Sequence, residues 1–290
     1  MPLTNKQLII TSDDFGLSKG VNKAVEKAWQ EGLLTCASIM PGGAAFEDAV
    51  AIARRNPGLQ VGLHLTLVQG RSVLPQAQIP DLVDEAGCFS DNPVATGMRY
   101  FFNKGLYKQL LREIEAQIQR VIDSGIPLSH LDGHLNIHLH PTVFGFLADL
   151  MPRYGITSFR LSRERLVHNL RFDQQRRLGK AVERVIFGAL AGHARPYLDR
   201  LGIRYAGEVK GVLNSGRMTE EYLLNILDGL NEGLTELYFH PGMLPDAEIS
   251  RRMPDYRHEE ELAAIVSPAV RQRLTDLEIT VQNYRGDIKC

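Results

Sequence analysis

HLDGHLNIHLHP, residues 130–141, is a stretch in which every even position is polar and every odd position is apolar. Because successive side chains of a strand point to opposite faces, its first part predicts a strand with imidazoles and a carboxylate on one face. The run is too long for one ordinary strand, and Pro141 suits the first turn of a helix, so we expect strand, loop and helix in succession. Four of the nine histidines of the chain lie here within eleven residues. This density favours a face that can bind a metal over a half-buried strand with solvated histidines.

The composition indicates a globular protein: 290 residues, 44% hydrophobic and 23% charged, can form one large domain or two modest ones. A net charge of −1 and the lack of a basic face with interleaved aromatics argue against nucleic acid as a partner. Three scattered cysteines are too few for a disulfide framework or a thiolate zinc site, which fits a reducing cytoplasm. No apolar run approaches the length of a membrane span, so we expect a cytoplasmic protein, with peripheral contact at the inner face of a membrane left open.

Short apolar strands alternate with amphipathic helices along the chain. We expect strands at 6–11, 34–40, 60–67, the start of 130–141, 157–161, 235–239 and 278–282. We expect helices at 18–32, 45–55, 106–124, 142–153, 174–191, 218–230, 258–266 and 268–276. This alternation predicts a single parallel-sheet α/β domain over 1–290, most simply a (β/α) barrel or an imperfect variant, with a doubly wound open sheet as the alternative. No glycine-rich phosphate loop follows the first strand, which counts against a nucleotide-binding fold.

A long insertion, punctuated by glycine and proline, occupies about 69–103. Loops of this length in a compact domain are usually lids or binding walls, so it is a candidate substrate loop, although a surface excursion without function is equally compatible. Its apolar residues, between Val73 and Phe102, would form either an apolar surface beside a pocket or a small core of the loop itself.

Polar residues stand at or near the ends of four predicted strands. Asp13 and Asp14 end the first, His64 lies in the third, His134 follows the fourth, and His240 ends a late one. The carboxyl ends of parallel strands converge in a barrel, so we expect one shared pocket. Adjacent aspartates of an extended chain point to opposite sides, so one can bind a metal while the other faces the substrate. Two histidines and one carboxylate leave coordination positions for water and a substrate oxygen, as hydrolytic Zn²⁺ requires.

Four motifs, in order along the chain, resemble the YdjC-like family of carbohydrate deacetylases, which includes the chitooligosaccharide deacetylases. They are TSDDFG at 11–16, GLHLTL at 62–67, HLDGH at 130–134 and FHPG at 239–242. The resemblance implies a distorted (β/α) barrel, one divalent metal ion per chain, an N-acetylated amino sugar as substrate and often a homodimer. The donor set favours zinc over magnesium. Stretches outside the motifs resemble the hopanoid-biosynthesis-associated branch, which implies an N-acetylglucosaminyl glycolipid as substrate.

Carried over by position, the resemblance implies metal ligands at Asp14, His64 and His134 and catalytic acid–base residues at Asp13 and His240. The chitooligosaccharide enzymes can carry three successive histidines from the position of His134, whereas here Leu135 and Asn136 follow it.

Other polar residues have less specific surroundings. We expect Asp132 to orient a ligand histidine, a role that His138 could share, and His140 to do the same or to cap a helix. Arg160 could clamp a sugar hydroxyl or form an ordinary salt bridge. The sequences around His168, His193 and His258 are typical of solvated or capping residues.

Together these features predict a metal-dependent hydrolase that removes acetyl from an N-acetylated amino sugar. Asp13 would accept the proton of the attacking water, and His240 would protonate the departing amine. A metal-dependent phosphoesterase is the alternative from another enzyme class, and a non-catalytic sugar-binding protein is a third.

Overall fold

The strands form one parallel sheet that curls into a half-barrel. The computed structural model describes residues 5–165 and 177–289. Their strands are β1 (Lys6–Phe15), β2 (Cys36–Ile39), β3 (Gln60–Leu65), β4 (Leu128–Gly133), β5 (Glu208–Lys210), β6 (Gly233–Phe239) and β7 (Thr280–Val281). The strand order is β4-β3-β2-β1-β6-β5, with β7 paired to the start of β1. The predicted parallel α/β domain is confirmed, and its curled sheet fits a distorted barrel.

Single-residue bridges extend the sheet beyond β4. Leu131 pairs with Phe159, and Ser158 pairs with Arg204, both in parallel. The chain then enters β5, which pairs with β6. The strand expected at 157–161 is therefore reduced to isolated bridges, because each neighbour pairs with it at one position. This thin pairing is where the barrel departs from a regular one.

Helices surround the sheet. They are α1 (Lys19–Glu31), α2 (Phe46–Arg55), α3 (Pro93–Phe102), α4 (Tyr107–Asp123), α5 (Pro141–Arg153), α6 (Arg177–Leu201), α7 (Glu220–Asp228), α8 (Ala247–Arg252), α9 (His258–Val266) and α10 (Pro268–Asp276). Side-chain oxygens of Ser18, Thr219 and Ser267 accept N–H groups in the first turns of α1, α7 and α10 and so fix where these helices begin. None of the described helices is long and apolar enough to cross a membrane.

Three helices differ from the expectation, and one of them is α3, which lies in the insertion where no helix was expected. The helix expected at 174–191 continues to Leu201, because the glycines and Pro196 within it do not interrupt it, and residues 174–176 lie outside the described part. The short helix α8 was not expected. It begins where the Asp246 carboxylate accepts the N–H groups of Glu248 and Ile249.

Residues 130–141 form a strand, a loop and the start of a helix, in the predicted order. Strand β4 ends at Gly133, a 3₁₀ segment covers His134–Leu139, and α5 begins at Pro141. Within the 3₁₀ segment Leu135 and Asn136 have φ of 51° and 56°. Left-handed backbone at residues other than glycine costs on the order of 1–3 kcal/mol each, so this turn is held by its surroundings.

The insertion has structure of its own. Antiparallel bridges join Arg71 to Cys88 and Val83 to Phe89, and α3 closes it. Part of its apolar content is a core, consisting of Ile79, Leu82, Val83, Phe89 and Tyr100, all buried. Phe101 and Phe102 instead remain 49% and 70% exposed. The expectation of a small loop core is therefore confirmed for the first subset, and the apolar surface beside a pocket stays a prediction for the second.

Gly62 in β3 provides a test of packing inside the barrel. A Cβ atom at this position would lie 2.4 Å from Cε1 of the buried His130. That imidazole cannot move away easily, because Ser38 and Ser129 hydrogen-bond to it and Tyr284 stacks on it with 4.5 Å between ring centroids.

We expect Gly62→Ala to lower the free energy of unfolding by about 1–3 kcal/mol, as overpacking of a core does. Gly145→Ala is the matched control, because Gly145 lies in α5 with nothing within 4 Å of its added Cβ. It should be neutral or raise stability by up to about 1 kcal/mol. Urea unfolding of both variants measures the difference, and equal midpoints would contradict the packing argument.

Candidate metal and catalytic site

The structure brings the five predicted site residues together. Asp13 and Asp14 are in the last part of β1, His64 is in β3, His134 follows β4 and His240 follows β6. Asp13, His64, His134 and His240 line one cavity of about 790 Å³, and Asp14 contacts both His64 and His134. The expected convergence at the carboxyl ends of the strands is therefore present.

The two adjacent aspartates do not follow strand geometry. We expected an extended chain to point them to opposite sides, but Asp14 has φ of 60°. This left-handed residue interrupts the alternation, as the register shift between β1 and β2 after Ser12 also indicates. As a result, both Asp13 and Asp14 offer a carboxylate oxygen within 4.8 Å of a nitrogen of His64. The strained residue places two acids beside one imidazole.

Asp14, His64 and His134 form a buried group whose donor atoms all lie within 4.8 Å of one another. The Oδ1 atom of Asp14 is 3.0 Å from Nδ1 of His134 and 3.4 Å from Nε2 of His64. Its Oδ2 is buried and has no hydrogen-bond partner among the described residues. Burial opposes ionisation of Asp14, but the two imidazoles outweigh it and hold its pKa well below the usual value. An ionised carboxylate with an unused buried oxygen and two imidazoles is a donor set that fits a divalent metal.

Asp132 fixes the orientation of His64. Its Oδ1 atom is 2.8 Å from Nδ1 of His64, which leaves Nε2 facing Asp14. Its Oδ2 atom accepts a hydrogen bond from Ser38 at 2.7 Å and forms an ion pair with Nη2 of Arg160 at 2.8 Å. Burial lowers the pKa of His64, but the charges of Asp132 and Asp13 outweigh it and raise the value to about 10. The site thus attracts positive charge, and the carboxylate–imidazole contact is typical of histidines that bind metals.

A second group, Asp13, His64 and Asp132, also has donor atoms within 4.8 Å of one another. Both of its carboxylates, however, are already paired with the guanidinium of Arg160. The group that contains Asp14 therefore fits a metal better.

Arg160 lies at the centre of a buried ionic cluster. Its Nη1 and Nη2 atoms donate to the two oxygens of Asp13 at 2.7 and 2.8 Å, and Nε donates to Glu236 at 2.9 Å. The guanidinium carbon is 4.6 Å from the centre of the Tyr238 ring. The side chain is 1% exposed. Of the two roles considered for Arg160, the structure shows the salt bridge.

His240 is fixed through its backbone. Its N–H donates to Glu261 at 2.5 Å, and its carbonyl lies 2.7 Å from Nδ1 of His258. The ring contacts Tyr256 at 5.1 Å between centroids, and Nδ1 is buried without a hydrogen-bond partner in the described part of the chain. Burial lowers the pKa of His240 and outweighs the attraction of Asp14 and Asp13. A protonated His240 would consequently give up its proton readily.

The other histidines divide into several cases. His258 is 3% exposed, so the expectation that it is solvated is wrong, because α9 turns it towards the carbonyl of His240. His193 is exposed as expected, and His168 lies outside the described residues. His138 contacts the carbonyl of Arg160 at 2.9 Å rather than a ligand histidine. His140 contacts the carbonyl of Gly97 and does not cap α5 with its side chain.

Sequence reasoning missed Glu236, Glu261 and Tyr284, although one signal was available. Glu236, Tyr238 and His240 are alternate residues of β6 and its end, so they share a face in the same way as His130, Asp132 and His134. The alternation in the sequence was therefore enough to predict that β6 has an inward polar face. The contact of Glu261 with the N–H of His240 could not be predicted in this way, since the two residues are 21 positions apart and lie on different elements.

Comparisons with known proteins agree with this architecture. The family described as YdjC-like protein matches residues 7–276. A carbohydrate deacetylase of Thermoanaerobacter pseudethanolicus is 28% identical over 281 residues, which cover 96% of this chain and 98% of the relative. A carbohydrate deacetylase of Geobacillus stearothermophilus is 28% identical over 279 residues, which cover 96% of this chain and 96% of the relative. A crystal structure of an Enterococcus faecalis V583 protein named for cellobiose-phosphate cleavage has a TM-score of 0.75 at 25% identity, covering 97% of this chain and 98% of that one.

We expect His64→Ala to lose bound divalent metal, because it removes one of three donors from the Asp14 group. Asp132→Asn should weaken metal binding by about 10–100-fold, since it disturbs the contact that orients His64. Zn²⁺ titration of the metal-free protein measures both effects. His193→Ala, which changes an exposed histidine, should bind Zn²⁺ with the affinity of the unaltered protein. Full metal occupancy in His64→Ala would remove that residue from the site.

Proposed function

Because the chain belongs to the YdjC-like family, we propose that it is a metal-dependent hydrolase that removes the N-acetyl group from an N-acetylglucosamine-type sugar. The observation that carries this proposal is the buried group of Asp14, His64 and His134 beside Asp13 and His240 in one cavity. The relatives named as carbohydrate deacetylases, which align over nearly the whole chain, support the substrate class.

The donor set favours zinc, with magnesium as the alternative, and one ion per chain. When bound by Asp14, His64 and His134, such an ion polarises the acetamide carbonyl and lowers the pKa of a water molecule. The contribution of the chain is to hold these three donors in place, through Asp132 on His64 and through the close contacts of Asp14 with both imidazoles.

Asp13 is the proposed general base. It lines the cavity, and its carboxylate is fixed by two hydrogen bonds from Arg160. Each carboxylate oxygen can accept more than one hydrogen bond, so the ion pair orients Asp13 and still leaves acceptor capacity for the proton of the attacking water. Arg160 thus acts on the reaction by orienting the base.

His240 is the proposed general acid. It lines the same cavity from the end of β6, which lies on the other side of β1 from β3 and β4. Its lowered pKa makes the protonated imidazole a stronger acid towards the departing amine. The products are acetate and the free amino sugar. Without this proton the leaving group would be an amide anion, which is a far poorer leaving group.

A phosphoesterase would commonly use two metal ions bound by more carboxylates. Both metal-competent groups in the described residues share His64, so they overlap at one position. Two ions per chain in the purified protein, with phosphatase activity, would favour that alternative. Full metal loading with no loss of acetyl from any N-acetylated sugar would favour a sugar-binding protein.

We expect Asp13→Asn to keep the metal, because Asp14 is the proposed ligand, and to lower kcat by about 10²–10⁴-fold, because an amide cannot accept the proton of water. Release of acetate from N-acetylated sugars measures the change. Asp91→Asn, an exposed control for the same chemical substitution, should leave kcat unaltered. A loss below about tenfold in Asp13→Asn would contradict the assignment of the base.

The substrate that we propose carries a bulky apolar body, as on a hopanoid glycolipid. Helices α3 and α6 each contribute one large exposed apolar residue to the cavity lining and carry further exposed apolar side chains, and we name the whole set the apolar rim: Val94, Met98, Phe101, Phe102, Leu178, Val182, Val185 and Ile186. Val94 and Ile186 line the cavity itself, together with the exposed Leu135. Large apolar side chains exposed beside a cavity commonly mark an interaction site. Exposed Arg99, Lys104 and Lys108 near α3 suit peripheral contact with the inner face of an anionic membrane.

We expect the double variant Phe102→Ala, Val182→Ala to raise KM about tenfold for an N-acetylglucosaminyl lipid in phosphatidylcholine vesicles, because apolar contact area is lost. KM for diacetylchitobiose should be unaltered. Ile288→Ala is the control, since Ile288 is 64% exposed and does not line the cavity. Equal activity on both substrates, unaffected by the double variant, would assign the chain to the chitooligosaccharide class. A dimer that dissociates in this variant would instead assign the rim to a homodimer.

A further inference from the structure

The turn that carries His240 is held from behind by helix α9. The Glu261 carboxylate accepts the N–H of His240 through Oε2 at 2.5 Å, and His258 donates from Nδ1 to the carbonyl of His240 at 2.7 Å. Two residues of one helix therefore fix both peptide groups that flank the Cα atom of His240. The contact is close, since a Cβ atom on Gly242 would lie 2.6 Å from Ile249 and 3.2 Å from Cβ of His258.

The side chain of His240 has few restraints of its own. Its Nδ1 is buried and has no hydrogen-bond partner within residues 5–165 and 177–289, and its ring packs edge-on against Tyr238 and Tyr256. Ring packing of this kind limits rotation but does not set the distance to a leaving group. The position of the imidazole therefore depends on the backbone, and the backbone is fixed by α9.

Glu261 also holds the cavity wall. Its Oε1 atom accepts the N–H of Met218 at 2.9 Å, at the end of a segment whose residues 212–215 and 217 line the cavity. The carboxylate is 0% exposed, and burial raises its pKa to about 7 although both N–H groups lower it. Burying an acid costs free energy that an apolar side chain in the same space would not cost. Glu261 accepts two backbone N–H groups on separate elements, which explains why an acid is buried here.

We propose that Glu261 is a positioning residue for proton transfer by His240, acting through the main chain of the turn. The inference rests on the proposed function, in which His240 protonates the departing amine. In Glu261→Gln the side chain keeps its shape, but one of its two acceptors becomes an NH₂ group that faces a backbone N–H. The turn then shifts, and displacements of about 1 Å can lower rates by about 10²-fold.

The test is a double-mutant cycle on the metal-loaded enzyme with diacetylchitobiose. Glu261→Gln should lower kcat by about 10–100-fold and alter KM by less than about threefold. In a His240→Ala background the same substitution should alter kcat by less than about twofold, since the group on which it acts is gone. With 4-nitrophenyl acetate, whose leaving group needs no proton, kcat of Glu261→Gln should be close to that of the unaltered enzyme.

Glu113→Gln is the matched control. Glu113 is likewise 0% exposed and accepts two backbone N–H groups, those of Val73 and Leu74, but it holds the insertion rather than His240. Any effect of this control should be the same in both backgrounds. Should Glu261→Gln fail to fold, as judged by thermal melting, His258→Ala enters the same cycle and should likewise lose its effect when His240 is absent.

Two outcomes overturn the inference, and they differ in what they say of the proposed function. An equal loss from Glu261→Gln with and without His240 would make Glu261 merely structural and would leave the acid role of His240 intact. Unaltered kcat in His240→Ala would remove the acid role itself, and the positioning role with it.

Discussion

The ion pairs of Arg160 are the constraint on which the rest of the site depends. One guanidinium binds carboxylates from three strands, Asp13 of β1, Asp132 of β4 and Glu236 of β6. Buried charges of one sign repel each other strongly in a medium of low dielectric, so these acids can meet in the interior only around a cation. Removing the guanidinium would take away the one positive charge that all three acids share. Their burial on the inward faces of three strands would then become unfavourable.

The same cluster connects distant parts of the chain to the metal-competent group. Thr11 and Tyr284 donate hydrogen bonds to Glu236, and Glu236 accepts one from Arg160. Arg160 in turn forms an ion pair with Asp132, which contacts His64. With Asp14 added, four acids surround one guanidinium and an imidazole. This excess of negative charge suits the proposed binding of a divalent cation without any cysteine ligand. The two adjacent acids also differ in their contacts, because Arg160 orients Asp13 while Oδ2 of Asp14 has no hydrogen-bond partner among the described residues.

The sequence predicted the parts of the fold that depend on local periodicity. Alternation identified β4 and the inward face that holds His130 and Asp132, and Pro141 marked the start of α5. It could not predict the left-handed backbone at Asp14, because strain of that kind is imposed by packing rather than by residue type. The burial of His258 was hidden for a related reason. Its charged neighbours face solvent from the same helix, and only the contact with the β6 turn reveals which side is covered.

The pairing of β1 has a consequence for the order in which the chain can assemble. This strand is bonded to β2 on one side and to β6 on the other, and Thr11 and Glu236 are 225 residues apart. During synthesis β1 leaves the ribosome long before β6, so one edge of the central strand stays unpaired while most of the chain is still being made. Contacts between residues so far apart form slowly, and unpaired strand edges are open to other chains. The end of that strand carries acids and hydroxyls, Thr11, Ser12, Asp13 and Asp14, and charged side chains on an unpaired strand disfavour its pairing with other chains. The residues proposed for catalysis would thus also serve as protection during biosynthesis.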